Sequence, residues 1–379
     1  MASPASSACS ENQDNFLLAR FIHELELPVN IDEASMSATA TPPSIKQSNT
    51  PNFPSVTFQS SLTSSPGPAR STSKAASTTY KRRNYTLELA VRGIHESEDS
   101  PEGLDDLVKR LQGKSDNFDP LTTEETEAFQ ESLLVPGNEP TIQALIVPPL
   151  LNLAALVRSP LTHVAVVAQF LTDCSIPLHR DMPMCSKIPT PWPDFTIGLR
   201  RQSLHRYNAH LYELADIAAP INCTSDIVFP CFTVEIKGED GGLDAINQNR
   251  HNAAIMLQNF RRLSIRARGD QDTKTIFDGV PRIISATVMR NHITISVHWT
   301  VCLKSGDIMF KSLLIKLFDL LRVTHEEWNN AASFLRSAIE FTIERANQQV
   351  QDDLEKLQNC TQPAMMPTRP PKRKHEVLE

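Results

Sequence analysis

The chain has 379 residues, of which 40% are apolar, and a formal net charge of −7 at pH 7. That apolar fraction suffices for a sizeable core, whereas the net charge gives no overall signal of nucleic-acid binding, so any such binding must come from local patches. Seven irregularly spaced cysteines do not form a disulfide framework and favour a reduced, intracellular compartment, and no apolar stretch approaches the length of a membrane span.

The N-terminal region is predicted to be mostly disordered over residues 1–84. Ser, Thr, Pro and Ala dominate residues 34–79 and cannot bury enough apolar surface to offset the entropy of ordering. Residues 15–27, NFLLARFIHELEL, carry apolar side chains at helical spacing and predict a short amphipathic helix. This helix either docks on a protein partner or packs on its own domain. Its Leu and Ile spacing also resembles a nuclear export signal: Leu18, Ile22, Leu25 and Leu27.

Two basic clusters flank the region that is expected to fold. Residues 81–83 (KRR) end the disordered segment, and residues 372–374 (KRK) lie in a disordered basic tail predicted over 359–379. Basic side chains in exposed, extended segments suit recognition by a nuclear import carrier. We therefore expect a nuclear protein, shared with the cytoplasm if the export-like segment acts. The alternative is a tail that only aids solubility.

Residues 85–358 are predicted to form one α/β domain. Trp192 lies in a proline-rich segment just before Asp194 and is expected to pack in the core. Apolar spacing and helix-start signals predict the following helical stretches in the first half of the domain: a helix, loop and helix across 86–111, then helices over 123–134, 138–147 and 163–173.

Two strand-like runs carry acids where apolar residues are expected. They are PWPDFTIG, with Asp194, and PCFTVEIKG, with Glu235 and Lys237. A buried carboxylate costs several kcal/mol unless it is paired or holds a metal. Alternate residues of a strand share a face, so Glu235 and Lys237 point the same way. Two carboxylates and the Ile236 carbonyl suit Mg²⁺, with Lys237 placed to orient or deprotonate the attacking water and to stabilise charge on the phosphate. The alternative is an ion pair at a strand end, with Asp194 beginning a turn.

The combination of Pro193-Asp194 with Glu235-Ile236-Lys237 resembles the PD-(D/E)XK nuclease superfamily. The resemblance implies a restriction-endonuclease-like core with a central mixed β-sheet flanked by helices. It also implies Mg²⁺ or Mn²⁺ held by Asp194 and Glu235. The wider pattern also resembles a fungal domain family of unknown function near that superfamily: Asn138-Glu139, Pro148-Pro149, PDFTIG, VEIKG and an Asn/Gln-rich helix.

Two functions follow from that resemblance. The first is Mg²⁺-dependent cleavage, or binding, of nucleic-acid phosphodiesters, in which Asp194, Glu235 and Lys237 are catalytic. The second is a catalytically inactive nuclease-fold scaffold that acts as a nuclear protein-interaction module. A membrane role is not expected in either case.

Further site residues are predicted on helices. Some nucleases of this fold add an acid from the first core helix, which makes Glu139 a candidate metal ligand; the alternative is a simple favourable charge at a helix N-terminus. Related nucleases also place a Gln or a basic residue on the helix after the Glu-x-Lys strand. Gln248 and Arg250 are the candidates here for substrate binding, and a solvated helix face is the alternative.

The most basic stretch of the domain begins at Arg261 and Arg262, with Arg266 and Arg268 close behind. Because the guanidinium fork suits phosphate, Arg261 and Arg262 are candidate contacts to a nucleic-acid backbone. A solvated surface is the alternative. A second acid-x-Lys triplet, Asp-Thr-Lys at residues 272–274, lies in a polar sequence. It is predicted to be a loop and is set aside as a site.

The C-terminal third predicts strands followed by a long helix. Residues 281–303 read as two strands with Asn291 near the turn, and residues 308–321 as a strand followed by a helix. The spacing of Thr324 and Glu327 matches a capping box, which predicts the start of the last helix.

Overall fold

The computed structural model describes residues 85–113, 120–134, 139, 142–166, 169–170, 188, 190–219, 221–222, 226–238, 242–321 and 323–361. The predicted helix at 15–27 and both basic clusters lie outside these residues. Among the described helices, none is both long enough and apolar enough to cross a bilayer.

The described residues contain nine strands and ten α-helices. The strands are β1 (Ile94–Glu96), β2 (Thr162–Val166), β3 (Gln169–Phe170), β4 (Phe195–Arg200), β5 (Ile221–Asn222), β6 (Ile227–Lys237), β7 (Ile283–Met289), β8 (His292–Cys302) and β9 (Ile308–Asp319) among the described residues. The α-helices there are α1 (Tyr85–Ala90), α2 (Leu104–Gln112), α3 (Thr123–Leu134), α4 (Val147–Leu151), α5 (Leu153–Arg158), α6 (Asn208–Glu213), α7 (Ala215–Ala218), α8 (Gly242–Arg268), α9 (Asp270–Phe277) and α10 (His325–Thr361). A π-helix (Ile142–Ile146) precedes α4, and a 3₁₀-helix (Arg201–Tyr207) precedes α6.

Seven of these strands form one mixed sheet in the order β1-β9-β8-β7-β6-β4-β2, and β3 pairs with β5 separately. The pairs β6/β7 and β1/β9 are parallel, and the other pairs of the large sheet are antiparallel. Helices α8 and α10 pack against this sheet and against each other. The expected α/β class with a mixed sheet and flanking helices is therefore confirmed.

Strand β6 lies inside the sheet because its sequence is apolar on both faces. Its run IVFPCFTVEI is buried throughout, as expected for a strand covered on both sides. The chain then crosses over through α8 and returns as β7, parallel to β6. The carboxyl end of β6 is thereby carried under α8, and Glu235 with it.

A bulge fixes the register between β4 and β6. Ile197 pairs with Phe232, but Gly198 pairs with Pro230, and Phe229 beside it adopts a left-handed φ of 46°. A Cβ atom on Gly198 would lie 2.9 Å from Cγ1 of Ile227 and 3.0 Å from Cα of Pro230. Glycine is therefore required where the two backbones approach so closely.

Gly198→Ala should destabilise the protein by roughly 1–3 kcal/mol, because the added methyl group forces the bulge to shift. Equilibrium urea unfolding of both proteins measures this. Gly113→Ala is the control, because Gly113 follows α2 at a φ of −63°, which alanine adopts, and its added Cβ would meet only the Arg110 carbonyl oxygen, at 3.2 Å. Equal unfolding midpoints for wild type and Gly198→Ala would show that the bulge is not closely packed.

Several predicted elements are confirmed. Residues 123–134 form α3, and residues 281–303 contain β7 and β8, joined by a turn at Asn291. The capping box is present: the Thr324 N–H donates to Glu327 Oε2 at 2.6 Å, and the Glu327 N–H donates to Thr324 Oγ1 at 3.2 Å.

Other predictions are wrong. Within the helix predicted at 163–173, residues 163–166 and 169–170 lie in β2 and β3, and β9 remains a strand through Asp319. Short apolar runs do not distinguish strand from helix by periodicity, which explains these two errors. The helix, loop and helix predicted across 86–111 are present as α1 and α2, but the loop between them contains the short strand β1. The triplet at 272–274 belongs to α9 and not to a loop, and Trp192 is 41% exposed and does not pack in the core.

Candidate active site

Asp194 lies where β4 begins, beside the carboxyl end of β6. Phe195 pairs with Val234, so continuing the antiparallel register by one residue places Asp194 opposite Glu235. The Ile236 N–H donates to Asp194 Oδ2 at 2.7 Å. This bond holds the carboxylate against the backbone of β6.

Glu235 is buried, at 1% exposure, beneath α8. The Asn252 side-chain amide donates to Glu235 Oε1 at 2.8 Å. One helical turn earlier, Asn249 accepts from Thr233 Oγ1 at 3.1 Å and donates to Thr287 Oγ1 at 2.8 Å. Helix α8 therefore presents a row of amides to the polar positions of β6 and β7.

Lys237 and Glu139 complete a group that we call the carboxylate cluster: Asp194, Glu235, Lys237 and Glu139. Lys237 Nζ donates to the Ile236 carbonyl at 2.7 Å and lies 3.9 Å from Glu235 Oε2. Glu139 Oε1 lies 3.5 Å from the same ammonium. Two carboxylates thus lie within 4.0 Å of one ammonium, and the charge of Asp194 also acts on it.

This arrangement shifts the pKa values of the cluster. Burial raises the pKa of Asp194 to about 6, and Glu139 adds to this while Lys237 and the Ile236 N–H oppose it. Burial, followed by the charge of Asp194, raises the pKa of Glu235 well above its usual range. For Lys237, burial disfavours the ammonium, yet the three surrounding carboxylates outweigh it and raise the pKa. The lysine therefore stays protonated at neutral pH, whereas the two buried acids resist ionisation.

The oxygen atoms present fit a hard divalent cation. The carboxylates of Asp194 and Glu235 and the Ile236 carbonyl are the ligand types that Mg²⁺ prefers, with water and substrate phosphate filling its other positions. A divalent charge would also balance the surplus of carboxylates over ammonium. Within the described ranges, no three Asp, Glu, His or Cys side chains form a metal cage by themselves. Glu139 contacts the Lys237 ammonium through Oε1.

The polar side of α8 is not the solvated face considered from the sequence. Arg250 is buried and pairs with Glu96 Oε2 at 2.5 Å, and its other guanidinium nitrogen lies 3.3 Å from Asn247 Oδ1. Gln248 is half-buried, and its Oε1 has no hydrogen-bond partner among the described residues. Asn252, which was not predicted from the sequence, is the α8 residue that bonds Glu235 within the described part of the chain. The Asn249–Asn252 spacing, one helical turn, is the signal that could have identified it.

The predicted arginine surface is largely neutralised. Arg261 is 1% exposed and donates to Asp278 Oδ1 at 2.6 Å and to Thr300 Oγ1 at 3.0 Å. Its prediction as a backbone contact is therefore corrected, because it is committed to the core. Arg262 is partly exposed and pairs with Asp216 at 2.6 Å, and Arg268 is bonded to Asp353.

Comparison with known proteins places the chain in a family. No curated protein and no solved structure matches it significantly. One family, described as "Domain of unknown function (DUF7924)", matches residues 139–354, which is more than half of the chain and includes the whole carboxylate cluster. The chain therefore belongs to the DUF7924 family.

Proposed function

We propose that this protein hydrolyses phosphodiester bonds of nucleic acid with a divalent metal ion, Mg²⁺ or Mn²⁺, on a restriction-endonuclease-like core. One observation carries the proposal: Asp194 lies opposite Glu235 at the ends of two neighbouring strands, bonded to the Ile236 N–H, with the Lys237 ammonium 3.9 Å from Glu235 Oε2. These are the groups that metal-assisted hydrolysis needs, gathered at one end of β6. A buried acid pair also requires an explanation beyond stability.

The metal would be held by the carboxylates of Asp194 and Glu235 and by the Ile236 carbonyl. When bound, Mg²⁺ supplies a water of lowered pKa and neutralises charge on the phosphate. Asn252 fixes Glu235 through its amide, and the Ile236 N–H fixes Asp194. Both contacts favour the ionised form that a metal ligand must adopt.

Lys237 would act as a cation and hydrogen-bond donor. Its raised pKa keeps the ammonium protonated, so it is suited to orient water and to stabilise negative charge on the phosphate oxygens, and not to remove a proton. Glu139 holds the ammonium from the outer side. We therefore assign Glu139 as a positioning residue for Lys237 within this proposal.

The second candidate is a catalytically inactive scaffold that acts in nuclear protein interaction. The placement of Lys237 favours it: the ammonium already bonds the Ile236 carbonyl and lies near two carboxylates, so the cluster is partly neutralised without metal. The burial of Arg261 and the pairing of Arg262 also remove two candidate nucleic-acid contacts.

A cleavage assay separates the two candidates. The purified full chain is incubated with end-labelled single-stranded DNA, duplex DNA and RNA, in Mg²⁺, in Mn²⁺ and in EDTA. The nuclease proposal predicts cleavage of at least one substrate with metal and none in EDTA. Absence of cleavage from all three substrates with both metals would overturn the nuclease proposal and favour the scaffold.

A further inference from the structure

A second polar site lies at the other end of the sheet, in a cavity of about 450 Å³ between α2, the start of β7 and α10. Three arginines line it: Arg110, Arg282 and Arg345. The distance between this cavity and the carboxylate cluster can be measured along β7. Arg282 directly precedes β7, whereas Glu235 pairs with Thr287, five residues further along. At about 3.3 Å per residue, the two levels differ by roughly 16 Å.

The acids of this cavity are already engaged. Glu344 pairs with Arg110 at 2.6 Å. Asp352 accepts the Gln348 amide at 2.7 Å and lies 4.0 Å from Arg268. Each of these carboxylates therefore already has a polar partner other than Arg282 and Arg345.

Arg282 and Arg345 form no salt bridge within 4.0 Å among the residues that the structure describes. Arg345 lies over the Phe341 ring, 5.6 Å from its centroid, and Arg110 lies over the same ring at 5.1 Å. Arg282 donates to the Ile276 carbonyl, and its Nε is buried and so is not exposed to the cavity. Both side chains line the cavity, and Arg345 forms no hydrogen bond among the described residues, so its guanidinium donors remain for a ligand.

Positive charge also accumulates at these arginines. Burial, followed by the positive charge of Arg345, lowers the pKa of Arg282 to about 9, and Asp353 opposes this shift. Burial and the charge of Arg110 lower the pKa of Arg345. Like charges gathered in a partly buried site are unfavourable until an anion binds between them. The planar guanidinium fork binds phosphate oxygens through paired, charge-assisted hydrogen bonds.

We propose that this cavity binds a small phosphate-bearing molecule through Arg282 and Arg345. Its volume suits a molecule of mononucleotide size. The side-chain amides of Gln348 and Gln349 also line the cavity and add neutral hydrogen-bonding groups near the two cations. This inference does not depend on the proposed nuclease activity, because the two sites share no residue.

Isothermal titration calorimetry tests the proposal. The full chain is titrated with inorganic phosphate, pyrophosphate, AMP and a twelve-nucleotide single strand, at fixed ionic strength and in EDTA, which keeps the carboxylate cluster metal-free. At least one of the three small ligands should bind. Arg345→Gln should weaken that binding by at least about tenfold, as the loss of one charge-assisted hydrogen bond predicts. Arg206→Gln, which removes a guanidinium lying over the Tyr207 ring elsewhere on the chain, should leave it unchanged.

Stability in the absence of ligand provides a second readout. Arg345→Gln should unfold at the same temperature as wild type or higher, because it removes a like charge, whereas phosphate should raise the unfolding temperature of wild type only.

If Arg345→Gln does not fold, Arg345→Lys, which keeps the charge but loses the fork, should bind the small ligand more weakly. No binding of any small ligand, or equal binding by wild type and the Arg345 variant that folds, would overturn the proposal. Tighter binding of the oligonucleotide than of AMP, lost in that variant, would assign the cavity to nucleic acid instead.

Discussion

Glu235→Gln should reduce metal-dependent phosphodiester cleavage by at least ~10²-fold while leaving the fold intact. The substitution keeps the shape of the side chain and its contact with Asn252, but it removes a charged metal ligand. Lys237→Ala should have an effect of similar size, since it removes the ammonium that would stabilise the phosphate. Single-turnover cleavage with Mg²⁺, with circular dichroism as the test of folding, measures both.

The chain supplies its own control for this experiment. Lys274 ends the Asp-x-Lys triplet at 272–274, which has the same acid-x-Lys spacing as the site triplet, but it lies on α9 and pairs with Asp270 at 2.9 Å. Lys274→Ala, purified in the same way, should cleave at the wild-type rate. Equal cleavage by wild type, Glu235→Gln and Lys237→Ala would trace the activity to a contaminating nuclease and contradict the site assignment.

Asp194→Asn should stabilise the metal-free protein at neutral pH by up to roughly 3 kcal/mol. Burial raises the pKa of Asp194 from 3.8 to about 6, and this difference sets the size of the effect. Because ionisation is harder in the folded state, wild type loses stability as the pH rises from about 4 to about 6. Asparagine cannot ionise, and its amide oxygen can still accept from the Ile236 N–H. The two proteins should therefore be equally stable near pH 4 and differ most above pH 6.

Metal should reverse this difference. Saturating Mg²⁺ stabilises only a folded state that binds it, so wild type should gain stability above pH 6 and Asp194→Asn should gain much less. Urea unfolding from pH 4 to 8, with EDTA or Mg²⁺, gives both comparisons. Asp272→Asn, an exposed acid on α9, should follow wild type throughout. A metal-free Asp194→Asn less stable than wild type at pH 7 would show that the ionised carboxylate stabilises the fold, contrary to this account.

The core of the site could be predicted because it depends on strand geometry. Glu235 and Lys237 share a face through the two-residue period of β6, and the apolar runs around both acids marked them as interior. The contact of Asn252 with Glu235 could not be predicted. This contact depends on how α8 is rotated about its axis over the sheet. An Asn-rich, basic helix sequence is also typical of a solvent-exposed face.

The arginines show why charge alone misleads. Arg261 stands in a basic run, yet it is buried because Asp278, after α9, returns to pair with it. That partner is brought there by the tertiary fold and has no local signature. The mixed sheet was expected from the resemblance to the PD-(D/E)XK superfamily, and the apolar patterns of β6, β7 and β8 were recognisable as strands. Strand β2 was predicted to be helical because an apolar run of only five residues fits the helical period and the strand period equally well.

Anomalous diffraction from crystals soaked in Mn²⁺ shows directly whether Asp194 and Glu235 bind a metal ion together. We expect one strong manganese peak about 2.0–2.4 Å from carboxylate oxygens of both residues, with Lys237 displaced from the Ile236 carbonyl. The peak should be absent from Glu235→Gln crystals soaked in the same way. A wild-type map without density between these two carboxylates, and with Lys237 still on the Ile236 carbonyl, would contradict a metal-dependent active site.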